Sequence, residues 1–131
     1  MKNLQLSLKK NWFDMTKLGE KTEDYRDITP YWCNRLLLQD GESQTKDFWS
    51  NYLEIYGSEI LKTVISNYDN IHRIKAKEFS KNIMTKGYPK KSDLDKILTR
   101  NHKGIEIRTG NPEWGAEPNK LYFVIKHGNK L

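Results

Sequence analysis

The hydrophobic pattern of the chain changes from one period to another along its length. Apolar residues at every second position, or apolar residues filling both faces of a short run, predict strands. These segments are 3–8, 71–77, 104–108 and 121–126. Apolar residues recurring every three or four positions predict helices. These segments are 11–18, 30–37 and 45–65, the last broken at Gly57-Ser58. Strands at both ends with helices between them predict an α+β fold.

Local capping signals support some of these boundaries. Thr29-Pro30 is a typical helix start, because threonine caps a helix and proline fits its first position. Asn11 is expected to cap the first helix in the same way. The segment 78–102 has no dominant period, so a loop is expected at 87–91 and a short helix, capped at its start, at 92–98.

The composition fits a single domain spanning residues 1–131. Apolar residues make up only 36% of the chain, so the four Trp and seven Tyr are expected to contribute to the core. The segment 121–126 is apolar on both faces and is therefore expected to be a central strand, covered on both sides.

The cysteine and histidine content bears on location and metal binding. Cys33 is the single cysteine, which excludes an internal disulfide and is typical of a reducing compartment. There is no signal-peptide pattern, and no apolar run approaches the roughly 20 residues of a membrane helix. A cytoplasmic monomer without membrane contact is therefore expected. His72, His102 and His127 lie apart from one another, so neither a metal site nor another cofactor is expected.

The net charge of +6 is concentrated in one part of the chain. Residues 71–110 carry eleven basic and four acidic side chains, an excess of seven positive charges. A basic surface of this kind attracts the phosphate backbone of nucleic acids, although charged runs are also typical of ordinary solvated surfaces. Within this block the residues expected to contact a nucleic-acid backbone are Lys86, Lys90 and Lys91.

The stretch from Gly19 to Arg26 has the most concentrated chemistry in the sequence. After the glycine, which suits a helix end, five charged side chains and a tyrosine fall within seven residues. A strand is expected at 21–26. Its period of two puts Thr22, Asp24 and Arg26 on one face and the residues between them on the other.

This stretch resembles the signature Gly-x-Lys-x-x-Glu-x-Arg of the ASCH domain family, a branch of the PUA-like superfamily. Gly19, Lys21 and Arg26 are in register with it, and Asp24 stands where the family has glutamate, one methylene shorter. Further similar segments are 6–9, 12–15, 30–36, 110–116 and 121–126. The resemblance implies a small PUA-like β-barrel with helices at its side.

In that family the motif positions line a pocket proposed to hold a nucleotide or base. The resemblance implies that Lys21 contacts phosphate or acts as a base, and that Arg26 binds phosphate or holds Asp24. Asp24 would accept a hydrogen bond from a base edge or orient Lys21. The full set of expected ligand-binding residues is Lys21, Thr22, Asp24, Arg26, Asn111 and Trp114. Trp114 could stack on a base or close the end of the barrel. The expected partner is RNA, single-stranded nucleic acid or a nucleotide.

Three alternatives remain open from the sequence. The charged stretch could be a solvated strand with ordinary ion pairs. The protein could instead be a small hydrolase, either an amidohydrolase acting on acylated nucleosides or a ribonuclease, with Lys21 and Asp24 as catalytic residues. That resemblance reaches Lys21, but the threonine of the amidohydrolase motif falls at Asp24. Finally, the aromatic block at 48–61 could bind another protein.

Overall fold

The computed structural model describes residues 1–130. Over this range the chain forms seven strands and three α-helices. The strands are β1 (Lys2–Leu8), β2 (Glu23–Arg26), β3 (Leu37–Gln39), β4 (Ile74–Ala76), β5 (Phe79–Lys86), β6 (Ile97–Thr109) and β7 (Leu121–Lys130). The helices are α1 (Lys10–Lys17), α2 (Pro30–Leu36) and α3 (Lys46–Ser66), with 3-10 turns at Leu94–Lys96 and Pro112–Trp114. The predicted α+β class is confirmed.

Five of the strands form one curled sheet in the order β1-β5-β6-β7-β2, while β3 and β4 pair separately. β1 runs parallel to β5, and the other neighbours in the large sheet are antiparallel. The curl brings the two edge strands towards each other, since the Arg26 guanidinium on β2 donates to the Ser7 carbonyl on β1 at 3.0 Å. The large sheet is therefore a half-barrel whose edges are bridged by one side chain.

One hydrophobic core fills the space between this sheet and the helices. The alternation predicted for the first strand is confirmed, because Leu4, Leu6 and Leu8 are all buried. β7 has four consecutive buried residues, Tyr122 to Ile125, which confirms a strand covered on both faces. Other large buried side chains come from all three helices and the sheet, and they include Phe13, Leu36, Trp49, Leu61, Met84 and Phe123.

Helix α3 carries the aromatic block and bends at Gly57, which has φ 79° and ψ 174°. The predicted break is thereby confirmed. The bend lets both halves of the helix reach the core, with Trp49 and Tyr52 buried before it and Leu61 and Val64 buried after it. Glycine suits this position because it lacks the Cβ that makes such backbone angles costly.

The two predicted helix caps differ in outcome. Thr29 caps α2 as expected, since its side-chain oxygen accepts a hydrogen bond of 3.2 Å from the Trp32 amide. The predicted Asn11 cap is wrong, because α1 already begins at Lys10 and its N-cap residue, Lys9, makes no side-chain cap bond.

None of the helices within residues 1–130 is both long and apolar enough to cross a lipid bilayer.

Segment 78–102 differs most from the sequence prediction. It contains strand β5, which the pattern did not predict because the two buried positions of that strand are a polar and an apolar residue, Asn82 and Met84. The short helix expected at 92–98 is a single 3-10 turn at Leu94–Lys96. The chain then continues as β6, so the predicted strand at 104–108 is one part of a thirteen-residue strand.

The strand predicted at 71–77 is shortened to Ile74–Ala76. The Asp69 carboxylate accepts hydrogen bonds from the amides of Ile71 and His72, which forms a turn where the strand was expected. Arg73 then has a positive φ of 53°. A left-handed residue interrupts the extended backbone that a strand requires.

Candidate ligand-binding site

Strand β2 begins beside a buried ion pair. Gly19, with φ 81°, turns the chain out of α1, and Lys21 then extends its side chain beneath the sheet. The Lys21 ammonium donates to Oδ1 of Asp24 and, at 2.7 Å, to the Glu23 carbonyl. The Lys21 and Asp24 side chains are only 1% and 4% exposed, so this pair is almost wholly removed from water.

The second oxygen of Asp24 belongs to a chain of buried hydrogen bonds that crosses the sheet. His127 Nε2 lies 2.6 Å from Oδ2 of Asp24. The Asn82 amide nitrogen donates to His127 Nδ1 at 2.8 Å and to the Lys126 carbonyl at 3.2 Å. The oxygen of Asn82 faces His102 Nδ1 at 2.7 Å. Because a carbonyl can only accept, the bond to Lys126 fixes the amide orientation, and the proton of His127 is therefore on Nε2.

Burial and hydrogen bonding set the charges of this group. Burial by itself would raise the pKa of Asp24, but the hydrogen bond from His127 and the charge of Lys21 outweigh it and hold that pKa at about 2. Asp24 is therefore ionised at neutral pH. Burial lowers the pKa of Lys21, and the Asp24 carboxylate offsets only part of this effect.

The strand predicted at 21–26 is shortened to Glu23–Arg26, which leaves Lys21 and Thr22 before it, and the predicted alternation of faces is present within β2. On one face lie Asp24 and Arg26; on the other, the Glu23 carboxylate accepts from the Tyr25 hydroxyl at 2.7 Å and from Arg108 at 2.6 Å. Arg26 does not hydrogen-bond Asp24. Its guanidinium donates to the Tyr25 carbonyl on its own strand and to β1, as described above, so that it faces away from the buried pair.

Arg26 instead lines a cleft of about 550 Å³ beside the edge of β1. Arg35 on α2 enters the same cleft and donates to the Gln5 carbonyl at 3.1 Å. Both guanidinium groups lie over the Trp32 ring, Arg26 at 5.2 Å and Arg35 at 4.8 Å from its centroid. Tyr31 and the almost fully exposed Tyr88 complete the aromatic lining. We call this the Arg26–Arg35 cleft; no acidic residue of the described chain lines it.

A second cavity of about 370 Å³ adjoins this cleft, because Ser7 and Arg26 line both. Its aromatic lining comes from Trp12, Tyr25, Trp114 and Tyr122, and its charged lining is mixed, with Asp24, Asp27 and Glu117 beside Lys9, Arg26 and Lys120. Together the two cavities form a groove with aromatic side chains along its length, and Arg26 lies where they meet.

The predicted site residues are divided among different surfaces. Asp24, Arg26 and Trp114 line the 370 Å³ cavity, whereas Lys21 and Thr22 line a third cavity at the other end of β2. The remaining predicted ligand residue, Asn111, lines none of these three cavities. Its side-chain oxygen accepts from the Glu113 amide at 3.0 Å, and its own amide donates to the Tyr25 hydroxyl at 2.8 Å.

The three lysines predicted to contact a nucleic-acid backbone also differ. Lys86 forms an ion pair of 3.1 Å with Asp14 and lies over the Phe13 ring, so its charge is already partnered. Lys90 and Lys91 are exposed in the loop that follows β5. The same loop contributes Tyr88 to the Arg26–Arg35 cleft, which places these two lysines close to it in the chain.

Sequence reasoning missed four residues of this region. One of them, Arg35, had a local signal: it lies three positions after Trp32 on a predicted helix, a spacing that places two side chains on the same helix face. The buried residues Asn82, His102 and His127 had no such local signal, because their contact depends on the register between β5, β6 and β7.

Within residues 1–130 no group of three His, Cys, Asp or Glu side chains is placed to hold a metal ion.

Comparison with protein-family models, with curated proteins and with solved structures finds no match to this chain. The resemblance of the stretch from Gly19 to Arg26 to the ASCH family therefore stays a prediction.

Proposed function

We propose that this protein is a PUA-like, ASCH-type module that binds single-stranded RNA or a nucleotide in the Arg26–Arg35 cleft. The observation that carries the proposal is the pair of guanidinium groups over one tryptophan, with no carboxylate of the described chain in the cleft. Arginine forks match the geometry of phosphate oxygens, and aromatic rings stack on bases.

The electrostatics of the cleft favour an anionic ligand. Burial lowers the pKa of Arg26, the nearby Asp24 charge opposes this, and the positive charge of Arg35 lowers that pKa further. The two arginines thus repel each other in the free protein. Their present hydrogen-bond partners are neutral, namely backbone carbonyls of β1 and β2 and the Tyr31 hydroxyl, which accepts from Arg35 at 3.5 Å. A phosphate between the guanidinium groups would relieve this repulsion and form charge-assisted hydrogen bonds.

The aromatic lining supports a nucleic-acid ligand over a small inorganic anion. Tyr31 and Trp32 flank the arginines, and the exposed Tyr88 lies at the mouth of the cleft. The groove continues past Arg26 to Trp12 and Trp114. Successive aromatic platforms can stack several bases, each contributing on the order of 1–3 kcal/mol. A single strand, whose bases are free, fits such a groove better than a duplex.

The half-barrel with helices at its side supports the PUA-like assignment. The motif residues occupy β2, an edge strand, and Arg26 bridges from it to the other edge. An edge position leaves one side of the strand free to form a cleft, which is what the family resemblance requires of these residues.

The hydrogen bonding of the buried group favours binding over the hydrolase alternative. Both oxygens of Asp24 are engaged, by Lys21 and by His127, and both ring nitrogens of His127 have partners. A general base needs a free acceptor within reach of substrate. An amidohydrolase or ribonuclease using Lys21 and Asp24 would be detected by incubating the protein with acylated nucleosides and with RNA, and comparing turnover with Lys21→Ala.

The binding proposal is tested by fluorescence anisotropy with a labelled oligouridine. Arg35→Gln removes one of the two positive charges of the cleft, and the expected result is a dissociation constant raised about tenfold or more, as for loss of a hydrogen bond to a charged group. Arg73→Gln is the matched control, since Arg73 forms a half-exposed ion pair with Asp40 and does not line the cleft. Equal affinity of wild type, Arg35→Gln and the control would refute the proposal.

A further inference from the structure

A third cavity, of about 390 Å³, lies at the opposite end of β2 and shares no lining residue with the groove. Its charged lining is entirely basic within the described chain, and consists of Lys17, Lys21 and Arg100. His127 and Thr22 add polar atoms to the wall. A cavity lined by cations without an acidic residue is unfavourable when empty, because like charges repel in a partly desolvated space.

Arg100 is the most unusual member of this lining. It is only 7% exposed, yet its one side-chain hydrogen bond within the described residues runs from Nη1 to the Thr99 carbonyl, at 3.0 Å. By contrast, Arg108 and Arg73 both have carboxylate partners. Buried arginines are usually paired with an anion. Arg100 therefore has unused donors facing a cavity that offers no carboxylate of the described chain.

The end of α1, which also lines the cavity, does not supply the missing negative charge. The last carbonyls of a helix carry partial negative charge when they lack partners. Here the Asp14 carbonyl accepts from Leu18, and the Met15 carbonyl accepts from the amides of Glu20 and Lys21. These oxygens are already satisfied, so they do not replace an anion beside Arg100.

We propose that this cavity binds a phosphate monoester or inorganic phosphate, with Arg100 and Lys17 as its principal ligands and the buried Lys21 adding positive charge from the wall. Three cations line it, and the buried carboxylate of Asp24 next to Lys21 offsets one of them, which leaves two positive charges. His127 is neutral, because its Nδ1 accepts from Asn82. A terminal phosphate carries close to two negative charges at neutral pH, whereas a phosphodiester within a strand carries one.

The proposed site is independent of the Arg26–Arg35 cleft, and its test is designed to separate the two. An Arg35→Gln background is used so that phosphate binding in the cleft contributes little. Inorganic phosphate, uridine 5′-monophosphate and uridine are titrated separately, and the amide signals of Gly19 and Gly128, which line the cavity, are followed by NMR. Shifts with both phosphates and none with uridine are expected.

The two phosphate probes distinguish the source of the ligand. Tighter binding of uridine 5′-monophosphate would assign a nucleotide or a strand end, and equal binding would assign free phosphate. Arg100→Gln is expected to weaken either probe about tenfold or more. Lys17→Gln, at an exposed position that does not threaten folding, is expected to weaken it several-fold. Arg73→Gln, the matched loss of one charge elsewhere, should leave affinity unchanged.

Two results would overturn the proposal. One is the absence of any shift at Gly19 and Gly128 with either phosphate. The other is unchanged affinity in both Arg100→Gln and Lys17→Gln. A negative result for phosphate binding would not affect the nucleic-acid proposal, because oligouridine binding by the parent protein is tested through Arg35 in a different cavity. If the parent protein failed to bind oligouridine but the phosphate shifts were present, only the proposal for the Arg26–Arg35 cleft would be refuted.

Discussion

His127 Nε2 donates to Oδ2 of Asp24 over 2.6 Å and so joins β7 to β2, although the two residues are 103 positions apart in the chain. The carboxylate is thereby held between a neutral donor and the Lys21 ammonium. A buried ion pair is tolerated when its remaining lone pairs are satisfied by further hydrogen bonds. The histidine meets that condition here, since it occupies the oxygen that Lys21 leaves free.

Removing the charge of Asp24 should strongly destabilise the fold. Asp24→Asn keeps the shape of the side chain but leaves the Lys21 ammonium buried without a counter-charge. Breaking a buried pair in this way costs about 3–5 kcal/mol. The free energy of unfolding, measured by urea titration, is expected to fall by that amount.

Asp40→Asn is the matched control for this substitution. Asp40 pairs with Arg73 at 2.7 Å, but both side chains are about half exposed (47%). Exposed pairs contribute roughly 0–1 kcal/mol. If Asp24→Asn were no more destabilising than Asp40→Asn, the buried pair would not be holding β2 in place.

Acidification should weaken the fold through His102. Partial burial lowers the pKa of His102, and the nearby positive charge of Lys126 lowers it further. The unfolded state therefore binds a proton more readily than the folded one, and the free energy of unfolding falls as the pH drops below about 6.5. The Asn82 oxygen accepts from the Nδ1–H of this ring at 2.7 Å, so the added proton enters at Nε2 and leaves this hydrogen bond in place.

The measurement for this effect is urea unfolding at several pH values between neutrality and about pH 5. His102→Gln removes the titrating ring, so the decrease over this range should shrink. Asp24 adds a separate loss only in strong acid, since its stabilising charge is lost as the pH falls from 3.8 towards its folded pKa of about 2. A pH profile that is identical in His102→Gln and wild type would contradict this assignment.

The parts of the fold that sequence predicted are those set by neighbouring residues. The alternation of β1 and the Thr29 cap depend on a few consecutive positions, and both are present. Strand β5 was missed because its inner face carries Asn82, whose partners are on β6 and β7. A polar residue at a core position is explained only by contacts that the one-dimensional pattern does not contain.

The same distinction applies to the site. The period of two placed Asp24 and Arg26 on one strand face, and this geometry is observed. Whether two such residues act together depends on what lies opposite each of them. Lys21 and His127 engage the acid, while the edge of β1 engages the arginine. The sequence therefore predicted the strand, but it did not predict which of its side chains would line which cavity.

The loop after β5 should determine the salt dependence of RNA binding. Lys90 and Lys91 are exposed and follow Tyr88, which lines the Arg26–Arg35 cleft, by two and three residues, so each is expected to neutralise one phosphate. For single strands the slope of log affinity against log salt is about −0.7 per phosphate, so removing both lysines should make it shallower by about 1.4. Oligouridine binding by the Lys90→Ala, Lys91→Ala variant over a salt series measures this slope.

Two comparisons complete that experiment. Lys86→Ala should change the slope little, because the charge of Lys86 is already paired with Asp14. The combination of Lys46→Ala and Lys62→Ala on α3 removes the same total charge away from the cleft. A slope change as large in this control as in the loop variant would mean that only overall charge matters.

The bend in α3 should make Gly57 intolerant of a side chain. A Cβ added there would meet no atom within 4 Å, so crowding is not the reason. The backbone angles, φ 79° and ψ 174°, are those that residues other than glycine adopt only at a cost of roughly 1–3 kcal/mol. Gly57→Ala is expected to lower the free energy of unfolding by this amount in urea titration.

Ser58→Ala, one position later, is the control and should change the free energy of unfolding only slightly. Alanine also favours a continuous helix, which would remove the bend that separates the buried Trp49 from the buried Leu61. Unchanged stability in Gly57→Ala would therefore show that the two halves of α3 can reach the core without the bend.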